Sequence, residues 1–416
     1  MKVSVIGLGY IGLPTAAIIA ESGTSVVGID CKQSVVDTIN EGFIHIKEPH
    51  LEALVHKVIK NGYLRAASEP EEADVYIIAV PTPFMANYEP DLSHIRSALN
   101  MIAPLLKRRD LIILESTSPV GTTEKIINWL EEIRPDLNLP YYDKSESDFD
   151  ISIAYCPERV LPGNAVQEIV QNDRIIGGLT STCSKRISDL YRTFIDGNCL
   201  ITDCRTAELC KLVENSFRDV NIAFANELSL ISDYLDINVW ELIKLANHHP
   251  RVNILQPGPG VGGHCIAVDP WFIVNSVPEK AKIIKLARLI NDEKPQFVIN
   301  KINEAVAKCN KKKSDLSIAC LGLAFKSDID DLRQSPALVL AKKVSSMGFA
   351  KNLIVEPNIN KKPDCFELQN TIMTDLRSAI GEADIIVLLV DHSDFKSMDL
   401  SLLSGKQVID TRGIWT

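Results

Sequence analysis

Short apolar runs rich in β-branched residues recur through the first half of the chain: VSVIG (3–7), SVVGID (25–30), VYIIAV (75–80), LIILE (111–115), ISIAY (151–155) and RIIGG (174–178). A strand that is apolar at nearly every position is buried on both faces, and the amphipathic stretches between these runs supply the covering helices, so the pattern predicts a parallel α/β sheet. The rhythm stops near residue 205. From Thr206 to Ala246 apolar residues recur at spacings of three and four, with little Gly or Pro to end a helix. After the Gly/Pro-rich stretch QPGPGVGGHC (256–265), helices are expected again near 280–310. Strands then return at LSIACLGLAF (316–325), NLIVEP (352–357), IIVLLVD (385–391) and QVIDTR (407–412).

A length of 416 residues suits two or three domains. The formal net charge of -10 argues against a nucleic-acid partner, because phosphate contacts need a concentrated basic surface. An anionic ligand must then be held by a local basic pocket. The ten cysteines show no C-x-x-C pair and no regular spacing, which indicates neither a zinc site nor a disulfide framework and fits a reducing cytoplasm. The opening MKVSVIGLGYIGLPTAAIIA reads as strand, turn and helix, since glycines interrupt what a signal peptide would keep apolar. No apolar run approaches the ~18 residues of a membrane span, so no membrane insertion is expected.

Gly7, Gly9 and Gly12, with Tyr10 and Ile11 between them, form GLGYIG after a strand and before an apolar helix. Such a turn offers glycines for the tight bend, for backbone approach to a pyrophosphate and for helix–strand contact, and it aims a helix N-terminus at the phosphates. A glycine turn of this kind also occurs as structure alone. Asp30 ends the second strand about 20 residues on, where a carboxylate accepts from ribose hydroxyls and repels a 2′-phosphate, which favours NAD over NADP. The fold class is therefore α/β, with two Rossmann-like parallel-sheet domains joined by a long helical connector. The expected divisions are 1–205 for NAD, 206–305 for the connector and dimerisation region, and 306–416 for the second sheet domain. Thr82 and Thr117 stand at strand ends, where ligands of such sheets bind and where helix caps also occur.

In the connector, Lys211, Asn215 and Arg218 fall at i, i+4 and i+7 on one helix face. A solvated polar stripe is one reading. The other starts from Leu212, Val213 and Phe217 between them, which suggest a packed helix in which a Lys would serve a reacting oxygen or a proton transfer. Cys265 lies in GVGGHCIAVDP behind three glycines that let backbone pass close to a ligand. Most cysteines are inert core residues, but this one has His264 beside it and Asp269 four residues on, a setting for a reactive thiol with a carboxylate. No ligand spacing around His248, His249 or His264 supports a metal.

These residues, together with AVPTPF, ESTSPVGTTEK, AYCPERVLPG, NDRIIGG, CKLVENSFRDVNIAFANELS and GLAFKSDIDDLRQSPA, resemble the UDP-glucose/GDP-mannose dehydrogenase family across nearly the whole chain. The branch acting on 2-acetamido sugars is the nearer match, since the UDP-glucose branch typically carries Lys where Val268 stands. The resemblance implies NAD-dependent oxidation of a sugar C6 alcohol to a carboxylate, with two NAD used in succession and an aldehyde trapped on Cys265 as a thiohemiacetal and then a thioester. It further implies that Lys211 steadies oxyanions or relays a proton, that Glu158 or Asp269 activates water, and that Thr117 and Asn215 position the reacting oxygen or water. For a UDP-sugar substrate it suggests Arg159, Val160, Lys211, Asn215, Arg218, His249, Arg251, Asn253, Gly262, Phe325 and Lys326, with 306–416 as the UDP-sugar-binding domain. Arg333 would approach the NAD. A homodimer is expected through apolar stretches such as NIAFANELSLISDYL (221–235), with Arg251 reaching across its interface. The substrate is expected in a cleft between the two sheet domains that closes on binding. The rival readings are a two-electron 3-hydroxyacid dehydrogenase, which needs neither Cys265 nor a second sheet domain, and a non-catalytic NAD sensor, which would not need Cys265 and Lys211 together.

Overall fold

The computed structural model describes residues 1–85, 87–141, 149–160 and 163–415; Leu161 and Pro162 of the PERVLPG motif lie outside them. The chain divides into two compact units, Met1–Glu214 with Asn275–Val277, and Asn215–Val274 with Pro278–Thr416.

The first unit is built on an eight-stranded sheet: β1 (Lys2–Ile6), β2 (Ser25–Ile29), β3 (Leu64–Ala67), β4 (Val75–Ile78), β5 (Leu111–Leu114), β6 (Ser152–Tyr155), β7 (Arg174–Gly178) and β8 (Cys199–Asp203). Its order is β3-β2-β1-β4-β5-β6-β7-β8. Alternation along each central strand sends side chains to two separate cores. Val3, Val5, Val75, Ile77, Leu111 and Ile113 enter one, and Ile6, Tyr76, Ile78, Ile112, Leu114 and Ile153 enter the other. That two-sided burial explains why these strands read as unbroken apolar runs.

The sheet departs from the expected all-parallel arrangement at one place. β7 runs antiparallel to β6 and overlaps it only at Ala154↔Gly178 and Tyr155↔Gly177, so most of β7 lies beyond the carboxyl end of β6. A parallel return needs a crossover that carries the chain back to the amino edge. The connection here turns back at the carboxyl edge instead, where buried Glu48 accepts from the amides of Gly163 (2.8 Å) and Ala165 (2.7 Å).

The second unit carries β9 (Ser317–Leu321), β10 (Lys351–Val355), β11 (Thr371–Met373), β12 (Ile385–Leu388) and β13 (Gln407–Asp410), all parallel in the order β11-β10-β9-β12-β13. Again the strands alternate between two cores, Ile318 and Cys320 against Ala319 and Leu321.

The expected helix over 206–246 is two helices, Cys204–Tyr234 and Val239–Ala246. Neither Gly nor Pro makes the break. Asp236 takes a left-handed conformation (φ 55°), and the Asn238 side chain accepts from the amides of Trp240 and Glu241 to start the second helix. Among the described residues no helix is long and apolar enough to cross a membrane.

Candidate active site

Sequence places GLGYIG between β1 and the helix Gly12–Glu21, and the glycines there are sterically required. Gly7 has φ +95°, and a Cβ on Gly12 would come within 1.8 Å of the Gly7 carbonyl oxygen. A Cβ on Gly9 would meet nothing within 4 Å. The turn therefore closes only with glycine at 7 and 12, while the surface over Gly9 is open for a diphosphate. Tyr10 and Ile11, both half-buried, complete the turn. No side chain caps the helix that follows, which leaves its first amides to a ligand. Asp30, at the end of β2, accepts from the Lys32 amide at 2.9 Å and the Leu8 amide at 3.2 Å, which fixes the carboxylate beside the glycine turn. Glycine turn, uncapped helix and fixed carboxylate together fit an NAD dinucleotide. Thr82 and Thr117 are tied to each other, the Thr82 hydroxyl donating to the Thr117 carbonyl at 2.5 Å, and both stand at the carboxyl edge of the sheet after β4 and β5.

Glu158 follows β6 and is buried. Its Oε1 accepts from the Arg159 amide at 2.6 Å, and its Oε2 lies 2.8 Å from the Arg174 guanidinium. The Arg159 guanidinium is held by Glu214 at 2.7 Å and by the Asp173 carbonyl, while Val160 leans on the nearby core. Lys211, half-buried, belongs to the same unit.

In the second unit Asn215 donates to Asp269 at 2.5 Å. Asp269 is buried and heads the helix Asp269–Ser276, and its amide donates to the Cys265 carbonyl at 2.8 Å. Cys265 is exposed, unlike Cys156, Cys183, Cys204 and Cys320, which are core residues. The glycines before it are needed for close approach to other parts of the chain. A Cβ on Gly262 would lie 2.5 Å from the Gln334 carbonyl oxygen, and one on Gly263 (φ +86°) would lie 3.2 Å from the Phe325 ring. The Cys265 loop thus rests on the segment that carries Phe325 and Lys326. That segment is itself fixed, because Glu356 accepts from the amides of Leu323 (2.7 Å) and Ala324 (3.0 Å), and buried His392 accepts from the Asp328 amide at 2.9 Å. Lys326 is exposed. Arg333 is engaged by Asp331 at 2.6 Å. His249, Arg251 and Asn253 are exposed in a short loop stapled by Asn247, which exchanges hydrogen bonds with the Ile254 backbone.

The long helix departs from expectation on one side. Leu212 is buried, but Val213 and Phe217 are exposed and Arg218 is exposed beside them. These two apolar residues belong to an outward stripe of Leu209, Val213, Phe217, Phe224 and Ile231, which at 3.6 residues per turn falls within about 80° of arc.

Several polar residues that shape these sites have no counterpart among the sequence candidates. Glu208, fully buried, accepts from the amides of Gly121 (2.6 Å) and Thr123 (2.7 Å) and from the Thr123 hydroxyl (2.6 Å), capping the helix that follows the Thr117 loop. Asp219 and Arg288 form a buried pair at 2.6 Å, joined through Asn291 to Asn226, whose side chain accepts from the Gly258 amide at 2.9 Å and so anchors the Cys265 loop. Glu115 and Arg174 sit inside the apolar runs LIILE and RIIGG, and a charge in such a run is the signal that could have marked them.

The family model for the NAD binding domain of the UDP-glucose/GDP-mannose dehydrogenases matches residues 1–195, that for the central domain 205–293, and that for the UDP binding domain 319–416. The UDP-N-acetyl-D-mannosamine dehydrogenase of Escherichia coli K12 is 55% identical over 417 residues, 99% of each chain. An NDP-N-acetyl-D-galactosaminuronic acid dehydrogenase of Ralstonia nicotianae is 54% identical over 414 residues, covering 100% of this chain and 96% of the relative. Among solved structures, a UDP-D-ManNAc dehydrogenase of Pyrococcus horikoshii superposes with a TM-score of 0.89 at 39% identity, covering 100% of this chain and 96% of that one. Three domain matches in chain order, with relatives aligned end to end, lead to a single assignment: the chain belongs to the UDP-glucose/GDP-mannose dehydrogenase family.

Proposed function

We propose that the protein oxidises the C6 alcohol of UDP-N-acetyl-D-mannosamine to the carboxylate in a four-electron, NAD-dependent reaction through a covalent intermediate on Cys265. The observation that carries this reading is the exposed Cys265 on a glycine loop, close in the chain to buried Asp269, whose partner is Asn215. NAD, when bound over GLGYIG, supplies the acceptor for each of two hydrides. The Cys265 thiolate adds to the aldehyde carbon to give a thiohemiacetal, whose oxidation yields a thioester. Lys211 offers its ammonium group to the oxygen that gains negative charge in each step. Of the two candidate carboxylates we assign the hydrolytic water to Glu158, because Asp269 is committed to orienting the Asn215 amide. Water is then added, the carbon–sulfur bond breaks, and the uronate leaves with Cys265 regenerated. Thr117 and Asn215 position the reacting oxygens. Arg159, Val160, Arg218, His249, Arg251, Asn253, Gly262, Phe325 and Lys326 form the proposed UDP-sugar contacts, and Arg333 the contact to NAD.

We further assign a homodimer and a cytoplasmic location. The apolar stripe from Leu209 to Ile231, together with exposed Ile283, Leu286 and Leu289 on the helix Lys282–Lys308, supports burial against a second copy of the chain. The relative at 54% identity whose name gives N-acetyl-D-galactosaminuronic acid favours a second reading, a galacto-configured sugar. Comparing kcat/KM for UDP-N-acetylmannosamine, UDP-N-acetylgalactosamine, UDP-N-acetylglucosamine and UDP-glucose tests the assignment. At least a tenfold preference for the manno sugar is expected, and equal or better turnover of another sugar would replace it.

A further inference from the structure

Behind Glu158 lies a buried charge cluster that the proposed chemistry does not yet use. Arg174, the first residue of β7, is 3% exposed; its Nη1 is 2.8 Å from Glu158 Oε2 and 3.8 Å from Glu115 Oε1. Glu115, which follows β5, is 2% exposed and accepts from the Tyr191 hydroxyl at 2.6 Å. The Tyr191 ring lies beneath the guanidinium, 5.4 Å from ring centre to Cζ. The other groups facing the cluster are the Cys156 thiol, which burial pushes up to about 12 and so keeps neutral, and the hydroxyl of Thr15. Arg159 gives Glu158 only its amide, since its guanidinium is taken by Glu214. Two buried carboxylates therefore share one arginine charge.

Such an arrangement holds an unbalanced negative charge in a dry interior unless one carboxylate carries a proton. The contacts are unequal. Glu158 has the short ion pair and a backbone amide, whereas Glu115 sits a further ångström from the guanidinium and accepts from the neutral Tyr191 hydroxyl at Oε1. We propose that Arg174 and Glu115 are positioning residues for hydrolysis: Arg174 fixes the Glu158 carboxylate, and a proton held on Glu115 leaves that arginine charge to Glu158. Desolvation, together with repulsion from Glu158 and against the pull of Arg174, raises Glu115 to about 7, in keeping with a proton held there near neutrality. In the step served, the water oxygen bonds to the thioester carbonyl carbon while one water proton passes to Glu158. The carbon–sulfur bond then breaks, and the proton of the new carboxylic acid returns to the departing Cys265 thiolate.

The inference rests on the assignment of the water to Glu158, so the experiment separates the two. Thioester accumulation is followed by acid quench and mass spectrometry, alongside the pH profile of kcat, for Glu158→Gln, Glu115→Gln, Tyr191→Phe and Arg174→Lys. Glu115→Gln matches the protonated carboxyl in charge and shape, so the acidic limb should stay in place with KM unchanged, while the fall in hydrolysis as Glu115 ionises above about pH 7 should be lost. Tyr191→Phe, which removes the donor that favours ionised Glu115, should move that alkaline fall to higher pH and guards against misfolding of the first variant. Arg174→Lys should slow hydrolysis at least tenfold and accumulate thioester. An alkaline limb unchanged in both folded Glu115→Gln and Tyr191→Phe, with thioester accumulating in Glu158→Gln, would overturn the inference and keep Glu158 as the base. Wild-type hydrolysis by Glu158→Gln would overturn both.

Discussion

Removing Glu208 should loosen the loop that carries Thr117 without touching a reacting group. Its carboxylate accepts three hydrogen bonds of 2.6–2.7 Å, two of them from the backbone amides of Gly121 and Thr123 at the start of the helix Thr122–Ile133. Glu208→Ala strands the buried Thr123 amide and the part-buried Gly121 amide, and at ~1–3 kcal/mol for a fully buried orphaned donor, less for the part-buried one, the cost is about 1–4 kcal/mol. That is a large share of the ~5–15 kcal/mol that holds a typical protein folded. The assay is hydrogen exchange at residues 121–126 with thermal unfolding alongside, since two compact units need not unfold in one step. Desolvation raises the Glu208 pKa against the pull of its three donors. A folded value above the unfolded one makes its titration contribution fully present below the unfolded value and lost as pH rises through the folded value. Glu208→Gln keeps one acceptor oxygen and should flatten that slope. Exchange at 121–126 and a melting temperature both equal to those of the parent would refute the capping argument.

Gly12→Ala should prevent the turn from closing and lower NAD affinity at least tenfold, whereas Gly9→Ala should fold normally, its Cβ meeting nothing, and lose NAD affinity only because backbone approach to the diphosphate is blocked; calorimetry on both checks this. Asp30→Ala should weaken NAD binding and relax rejection of NADP, and an unchanged ratio of the two affinities would make Asp30 a turn residue only. Burial would raise the Glu356 pKa, but hydrogen bonds from His392 and the Leu323 amide hold it below the usual range. Its contribution is therefore present above the unfolded value and lost as pH falls through the folded one. Exchange at 323–328 should rise on acidification in the parent and be fast at all pH in Glu356→Ala.

The central strands were legible because burial on both faces leaves a continuous apolar run. β3, β8 and β11 were not: LRAA, CLITD and TIM are short, lie away from the sheet centres and show no such run. The reversed direction of β7 was also hidden, since strand direction is set by the connection rather than by local pattern. Cys265, Asn215 and Asp269 could be picked from chemistry and spacing within short segments. Glu208 could not, and for Glu115 and Arg174 only the charge in an apolar run gave a signal, because each owes its role to partners tens of residues away in the chain. Val213 and Phe217 misled for a related reason: an apolar residue on a helix looks the same whether it faces this chain's core or its surface.

The central claim is a four-electron oxidation held on Cys265. Supplying UDP-N-acetylmannosamine as the limiting reagent with excess NAD, and counting NADH against uronate formed, tests it most directly. The account predicts two NADH per uronate in the parent and no uronate from Cys265→Ser; one NADH per substrate with aldehyde released, or full uronate formation by Cys265→Ser, would contradict it.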